Sequence, residues 1–183
     1  MNTSFIRKTP MIVATILGLS LAQAGTMSKT DYDAGKTRIG ADYKNNDARC
    51  GSFAGNARDV CTEDAMATQR IARAELESTY TGTESDHGKV LVEKAESAFA
   101  VAKAKCGAKA GNDKDVCIEE ARASETTMLS DIKMGKAISD ARSAAAADVR
   151  EADYKVAAQK CDVYSGEAKD NCVAAAKARF GKS

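Results

Sequence analysis

Apolar and small side chains recur along most of this chain at spacings of three and four residues, with charged residues between them. This spacing matches the 3.6-residue turn of an α-helix, so each run predicts an amphipathic helix. Opposite charges four residues apart, such as Arg73 with Glu77 and Glu151 with Lys155, support the exposed faces. Three runs carry the pattern: Cys61, Ala65, Ala72, Leu76 and Tyr80; Leu91, Ala95, Ala98, Ala102 and Cys106; and Cys117, Ala121, Met128 and Ile132.

The helical pattern has one clear break and one weak break. Residues 81–88 are rich in Gly, Thr and Ser, so we expect a linker there, with His87 as a solvated linker residue. Gly135 is the weak break, and it leaves open whether residues 113–164 form one helix or two. A single helix over this range would be about 78 Å long, so an elongated array and a compact six-helix bundle both fit the sequence.

Residues 1–24 have the organisation of a signal peptide. Arg7 and Lys8 precede an apolar run at residues 11–21, and a small-x-small pattern follows at residues 22–24. The apolar run is roughly half the length that a membrane-spanning helix needs. We therefore predict cleavage after residue 24, export to the periplasm, and no stable membrane insertion after signal cleavage.

The six cysteines form a threefold internal repeat. Ten residues separate the two members of each pair, and the pairs recur every 56 and 55 positions. Each copy has a basic residue before the first cysteine, a glycine five residues after it, and a basic residue followed by Asp before the second cysteine. Three copies with one internal spacing predict a single supersecondary unit that is used three times.

The repeated unit predicts a helix, a tight turn and a returning helix. The glycine is expected to end the first helix, because it readily adopts the left-handed conformation of a helix C-terminus. The Asn that follows in two copies is an N-cap candidate, and the later Asp is expected in the first turn, near the positive helix end. The turn and cap residues are Gly55, Asn56, Asp59, Gly111, Asn112, Asp115, Gly166 and Asp170.

The cysteines lie almost symmetrically about each turn, so they face each other across an antiparallel hairpin. The expected bridges are Cys50–Cys61, Cys106–Cys117 and Cys161–Cys172. Each bridge would stabilise its hairpin by about 3 kcal/mol in the chain-entropy treatment of disulfides. An exported chain meets the oxidising compartment in which such bonds persist.

An aromatic residue and an alanine recur at fixed positions around each cysteine pair. The aromatic lies seven residues, or two helical turns, before the first cysteine, and the alanine lies four residues after the second. We predict that the aromatic ring packs across the hairpin where the alanine leaves room for it. The hairpin packing residues are Tyr43, Phe99, Tyr154, Ala65, Ala121 and Ala176.

These patterns predict an all-α fold of three tandem disulfide-stapled antiparallel helical hairpins, arranged as an elongated coiled-coil-like array or as a six-helix bundle. The expected division of the chain is 1–24 signal peptide, 25–36 flexible mature N-terminus, 37–80 hairpin 1, 81–88 linker, 89–133 hairpin 2 and 134–183 hairpin 3.

Composition agrees with thin helices and opposes one class of function. After residue 24, Leu, Ile, Val and Phe fill only 20 of 159 positions, which is too few for an ordinary globular core. Abundant Ala, Lys, Glu, Asp and Arg favour long, closely packed helices instead. The 27 basic and 26 acidic residues nearly cancel, so we expect no nucleic-acid partner.

The residues with chemical potential favour structure over catalysis. His87 is the single histidine, which limits the possible nucleophile and base pairs, and the cysteine spacing does not match the Cys-x-x-Cys motif of redox catalysis. The sequence contains no Gly-rich phosphate loop, calcium loop or paired-carboxylate motif. We expect no catalytic residue, no cofactor and no metal site.

Several of these motifs together resemble a known group of proteins. Ala-Asp-Tyr-Lys occurs at residues 41–44 and 152–155, and the chain ends in Ala-Lys-Ala-Arg-Phe-Gly-Lys at residues 176–182. With the repeated cysteine unit, these motifs resemble small exported helical proteins of Gram-negative bacteria, some of which are labelled TolA-like cell-envelope proteins. The resemblance implies a periplasmic helical protein and transfers no catalytic residue. This chain departs from the group at Asn45-Asn46 and at residues 80–88.

We therefore expect a non-enzymatic periplasmic protein that acts as a structural or interaction module of the cell envelope. Its partner would be an envelope protein or a second copy of itself. Two other hypotheses remain open from the residues: a thiol-redox or soft-metal-binding periplasmic protein, and a chaperone-like stress protein.

Overall fold

The computed structural model describes residues 27–182. The expected signal peptide at 1–24, and the first residues of the expected flexible segment, lie outside the described residues. Within residues 27–182 the chain forms five α-helices and no strand, which confirms the all-α prediction. The helices are α1 (Lys29–Cys50), α2 (Gly55–Thr81), α3 (Glu84–Lys105), α4 (Gly111–Lys160) and α5 (Glu167–Phe180), and single 3₁₀ turns occupy Cys106–Ala108 and Cys161–Val163.

The helices pack in the order in which they occur in the chain. α1 packs on α2, α2 on α3, α3 on α4 and α4 on α5. The short connections make neighbouring helices antiparallel. The described part of the chain is therefore an open array of five helices rather than the six-helix bundle that the sequence also allowed.

The expected division between hairpins 2 and 3 at residues 133 and 134 is wrong, because α4 runs without a break through Gly135. This helix is 50 residues long and serves as the second arm of one hairpin and the first arm of the next. A single glycine costs a helix only about 1 kcal/mol. The neighbouring Met, Lys, Ala and Ile residues, with no proline among them, outweigh that cost.

The linker expected at 81–88 is also wrong, since only Gly82 and Thr83 separate α2 from α3. Gly82 has a φ of 63° and closes α2 by donating its N–H to the Ser78 carbonyl. The Thr83 hydroxyl caps α3 by accepting the N–H of Asp86 at 3.1 Å. The Asp86 carboxylate in turn accepts the Thr83 hydroxyl at 2.8 Å, and this N-cap begins α3 earlier than its Gly and Thr content predicts. His87 is exposed on α3 rather than in a linker.

The segment 25–36, expected to be flexible, is helical from Lys29 onward. Ser28 caps α1 by accepting the N–H of Asp31 at 3.1 Å. The ring of Tyr32 stacks on Tyr80 of α2 with centroids 4.3 Å apart, and its hydroxyl donates a hydrogen bond to Glu77. This hydrogen bond is the main reason that the pKa of Tyr32 is raised. Contacts with a distant helix therefore order a segment whose local sequence is polar.

The core consists of thin seams between paired helices. Its buried residues are mostly cysteine and alanine, as the shortage of large apolar residues predicts. Charged side chains reinforce the seam between α2 and α3: Arg70 lies 3.1 Å from both Glu63 and Glu93, and Lys94 lies 2.7 Å from Glu75. Close packing of small residues, rather than a large apolar core, holds the array together.

Candidate functional site

The three cysteine pairs form the disulfide bonds that the repeat predicts. Their Cα atoms lie 5.5 Å apart in Cys50–Cys61 and 5.7 Å apart in the other two bridges. The first cysteine of each pair is only 1% exposed. All cysteines in the described part of the chain are bonded, and each bridge joins two consecutive helices beside their turn.

The three turn glycines have the expected left-handed backbone but a different place in the hairpin. Gly55, Gly111 and Gly166 have φ values of 54°, 56° and 57°. Gly55 and Gly111 are the first residues of the returning helix and Gly166 is its N-cap, so none of them ends the first helix, which already ends at its cysteine or one residue before it. The residues between the first cysteine and the glycine form the connection between the two helices. The disulfide bond joins the helices at the cysteine, where this connection begins.

The N-cap prediction for Asn56 and Asn112 is wrong. Ala54 and Ala110 occupy the N-cap positions, and neither helix has a side-chain cap. Asn56 instead donates its side-chain Nδ2 hydrogen to the Ala104 carbonyl of α3 at 2.7 Å, which ties the first turn to the second hairpin. Gly107 leaves room for this contact, because a Cβ there would lie 2.4 Å from the Asn56 Nδ2.

The turn acids have the same spacing in all three repeats but different places in their helices. Asp170 lies in the first turn of α5, as expected. Asp59 and Asp115 lie beyond the first turn of their helices, where Asp113 takes the expected place in α4. The residue after the left-handed glycine is already helical. The predicted N-cap and first-turn positions therefore lie one or two residues farther along the chain than the observed ones.

Two of the three repeated aromatics contact the opposite arm of their hairpin. Tyr43, Phe99 and Tyr154 are half-buried. The Arg122 guanidinium lies 5.8 Å from the Phe99 ring, and Phe180 lies edge-on to Tyr154 with centroids 6.4 Å apart. The repeated alanines are buried, with exposures of 5% for Ala65, 9% for Ala121 and 8% for Ala176.

Ion pairs that the sequence analysis missed close the third hairpin. Lys169 lies 2.9 Å from Asp162 across the turn, and Asp162 raises the pKa of Lys169. Lys182, beyond the end of α5, pairs with Glu151 of α4 and lowers the pKa of that carboxyl group. Opposite charges at equal distances from the turn are the signal that could have predicted the Glu151–Lys182 pair, whereas Asp162 and Lys169 lie at unequal distances from it.

The middle of α4 has no helix packed against it within the described residues. The part of α4 before residue 133 has half-buried positions where it faces α3, and the part from residue 151 onward has them where it faces α5. All 18 residues from 133 to 150 are exposed. The two ends of this bare segment are held by the second and third disulfide hairpins.

An exposed apolar stripe runs along α4 through this bare segment. Met134, Ile138, Val149 and Val156 are 57%, 46%, 60% and 56% exposed. Alanines continue the stripe at spacings of three and four residues, so all its members lie on one side of the helix. We call this stripe the α4 back face: Met134, Ile138, Ala141, Ala145, Val149, Ala152 and Val156.

The α4 back face points away from the neighbouring helices. Val156 is two residues, or about 200° of helical rotation, from Tyr154, which packs toward α5. Sequence reasoning missed this face because its expected boundary at residues 133 and 134 cut the stripe, and because alanine recurs on every side of α4. The three- and four-residue spacing from Met134 to Val156 was the signal that could have revealed it.

The described residues contain neither a membrane-spanning helix nor a metal-binding cluster. None of the helices in residues 27–182 contains an apolar stretch long enough to cross a membrane. Within the same range, no three His, Cys, Asp or Glu side chains are grouped so that they could hold a metal ion. Comparisons of the chain with protein-family models, with curated proteins and with solved structures find no match.

Proposed function

We propose that this chain is a non-enzymatic interaction module of the periplasmic cell envelope, and that the middle of α4 is the segment that binds its partner. The observation that carries this proposal is the run of 18 exposed residues, 133–150, along which an apolar face has no neighbour within the described chain. Exposed apolar patches of this kind mark interaction surfaces.

The two flanking hairpins prepare this segment for binding. An isolated helix pays a large entropic cost to form, whereas residues 133–150 belong to a helix whose two ends are packed and disulfide-bridged. A partner that binds α4 does not have to order it first, so more of the contact energy contributes to affinity. An apolar stripe at helical spacing fits a second helix, which would lie along it.

The proposed compartment rests on the cysteines and on the expected signal peptide. Three disulfide bonds fit an oxidising compartment, as does an N-terminal segment with the organisation of an export signal. The resemblance to exported helical envelope proteins supports the same location.

A photocrosslinking amino acid placed at Ile138 tests the proposal in intact cells. We expect an adduct with an envelope component or with a second copy, recovered from the periplasmic fraction. The matched control is the same amino acid at Ser143, which is exposed in the same bare segment but lies on the opposite side of α4. Equal labelling from both positions, or adducts from neither, would contradict the proposal.

The thiol-redox alternative has a separate test. The first cysteine of each pair is buried and all described cysteines are bonded, so we expect protein trapped with a thiol-blocking reagent in its native compartment to carry no blocked cysteine. Blocked thiols in a large fraction of the molecules would favour thiol chemistry over the interaction module.

A further inference from the structure

We infer that the α4 back face binds the α4 back face of a second copy of this chain, with the two helices antiparallel. This inference deepens the proposed function, because it names the partner of the same surface. Three features carry it: the apolar stripe matches itself when reversed, the charges of the bare segment are complementary, and the packed helices leave this side of α4 open.

The apolar stripe is nearly symmetric about a point between Ala145 and Val149. When Ala145 of one antiparallel helix faces Val149 of the other, Ile138 faces Val156 and Ala141 faces Ala152 to within one residue. The large residues Ile138 and Val156 then meet each other, whereas Met134 faces Lys160 and lies outside the matched part of the stripe. The alanines near the centre allow the two helix axes to approach closely.

The charges beside the stripe favour the antiparallel direction. Residues 148–153 carry three acidic side chains and one basic one, whereas residues 141–146 carry one basic side chain, Arg142, and no acidic one. In the antiparallel register that pairs Ala145 with Val149, these two stretches lie opposite each other, so Arg142 of each helix faces the acidic stretch of the other. Such complementarity steers the register and direction of association.

One charged pair fixes the register. Arg142 and Asp153 are 11 residues apart, close to three helical turns, so they lie on the same flank of the stripe. In the register that pairs Ala145 with Val149, Arg142 of each copy lies opposite Asp153 of the other to within one residue. Both side chains are exposed, and neither forms an ion pair within residues 27–182. A parallel pair would place Arg142 beside Ala141 and Ala144 instead.

The packing of the array leaves room for the second copy. α3 and α5 both lie on the opposite side of α4 from the back face, at the two ends of the bare segment. A second α4 therefore docks without displacing either hairpin. The resulting seam runs from Ile138 to Val156 in each copy.

Sedimentation equilibrium of the purified, disulfide-bonded protein over a range of concentrations tests the dimer and the face of α4 that forms it. We expect a reversible dimer in the wild type. Ile138→Lys, which places a charge in the seam, should weaken dimerisation at least tenfold, whereas Ser143→Lys on the opposite side of α4 should change it less than twofold.

Charge exchange tests the register. Arg142→Asp and Asp153→Arg should each weaken the dimer several-fold, because each puts like charges opposite each other, and the double variant should return to within about twofold of the wild type. Arg150→Asp is the matched control, since Arg150 is exposed on the side of α4 away from the stripe. Helical content by circular dichroism confirms that each variant is folded.

Two results would overturn the inference: a wild type that stays monomeric at every concentration, or a double charge variant that is no stronger than its single parents. These results are distinguishable from failure of the proposed function. If the protein is monomeric but Ile138 still gives an envelope adduct in cells, the interaction module stands and the self-pairing is contradicted. If the protein dimerises but gives no adduct in cells, the proposed envelope role is contradicted.

Discussion

At the scale of single residues, the turn glycine of each repeat has a backbone conformation that residues with a side chain rarely adopt. Gly55 has a φ of 54°, in the left-handed region that costs other residues about 1–2 kcal/mol. No heavy atom lies within 4 Å of a Cβ built there, so this cost comes from the backbone and not from crowding. The glycine therefore recurs in each repeat because the backbone there adopts the left-handed conformation.

Replacement of Gly55 by alanine should lower the free energy of unfolding of the first hairpin by about 1 kcal/mol. Gly40→Ala is the matched control, because Gly40 lies inside α1 with open space around its Cβ position. That change should raise stability by about 0.5–1 kcal/mol, since alanine has the higher helix propensity. Amide hydrogen exchange of α1 and α2 measures both effects, and a stabilising Gly55→Ala would contradict the backbone explanation.

Asp86 is the residue whose charge state most affects the junction of α2 and α3. Its carboxylate accepts hydrogen bonds from Lys89 at 2.7 Å, from Thr81 at 2.6 Å and from Thr83 at 2.8 Å. These groups, led by Lys89, hold the pKa of Asp86 well below its usual range. A lowered pKa means that folding favours the ionised carboxylate, so its stabilisation is present above about pH 4 and is lost as the pH falls further.

Asp86→Asn should therefore destabilise the α2–α3 junction at pH 7, and this loss should shrink as the pH is lowered from about 4 toward 2. Hydrogen exchange or denaturant unfolding at several pH values, compared with the wild type, provides the measurement. Glu84→Gln, which removes a neighbouring acid from the same first turn, is the control and should show a weaker pH dependence. A constant difference between wild type and Asp86→Asn at all pH values would contradict this account.

At the scale of helices, length and tertiary contacts decide which element depends most on its disulfide. α5 has 14 residues, close to the length below which isolated helices are marginal in water. α1 has 22 residues, and the stack of Tyr32 on Tyr80 holds its far end to α2. The same bridge therefore has different importance in the first and third repeats.

Removal of the third bridge by replacing both Cys161 and Cys172 with serine should release α5, since the bridge contributes about 3 kcal/mol to a short helix. Amide hydrogens of residues 167–180 should lose most of their exchange protection, while α1 to α3 keep theirs. The matched variant replaces both Cys50 and Cys61, and it should leave α1 largely protected near Tyr32. Equal loss in the two variants would show that the tertiary contacts of α1 contribute little.

At the scale of the whole molecule, α4 sets the distance between the second and third hairpins. Glu119 and Lys155 lie 36 residues apart, ten full helical turns, and both side chains are exposed. Spin labels at these two positions should be about 54 Å apart if the helix is continuous through Gly135. Pulsed electron paramagnetic resonance on labelled protein diluted with unlabelled protein measures this distance within one molecule. A markedly shorter or bimodal distribution would contradict a continuous helix.

The sequence by itself determined the features that depend on local patterns. The cysteine repeat fixed three bridges such as Cys50–Cys61, because equal distances from a turn bring two helix positions together whatever the rest of the chain does. Helical periodicity fixed the all-α class, and the shortage of large apolar residues predicted thin seams. The left-handed glycines followed from their place in each turn, although the helix that each one borders did not.

Only the tertiary structure decided where helices continue and which faces stay bare. The weak break at Gly135 left one or two helices possible and α4 continues through it, whereas the clear break at residues 81–88 shrinks to Gly82 and Thr83. Residues 29–36 are helical because Tyr32 contacts Tyr80 and Glu77, about 45 residues away. Asn56 does not cap α2 but donates a hydrogen bond to the Ala104 carbonyl of α3. The exposure of the α4 back face depends on where α3 and α5 pack, because an apolar stripe becomes core or surface only when its neighbours are placed.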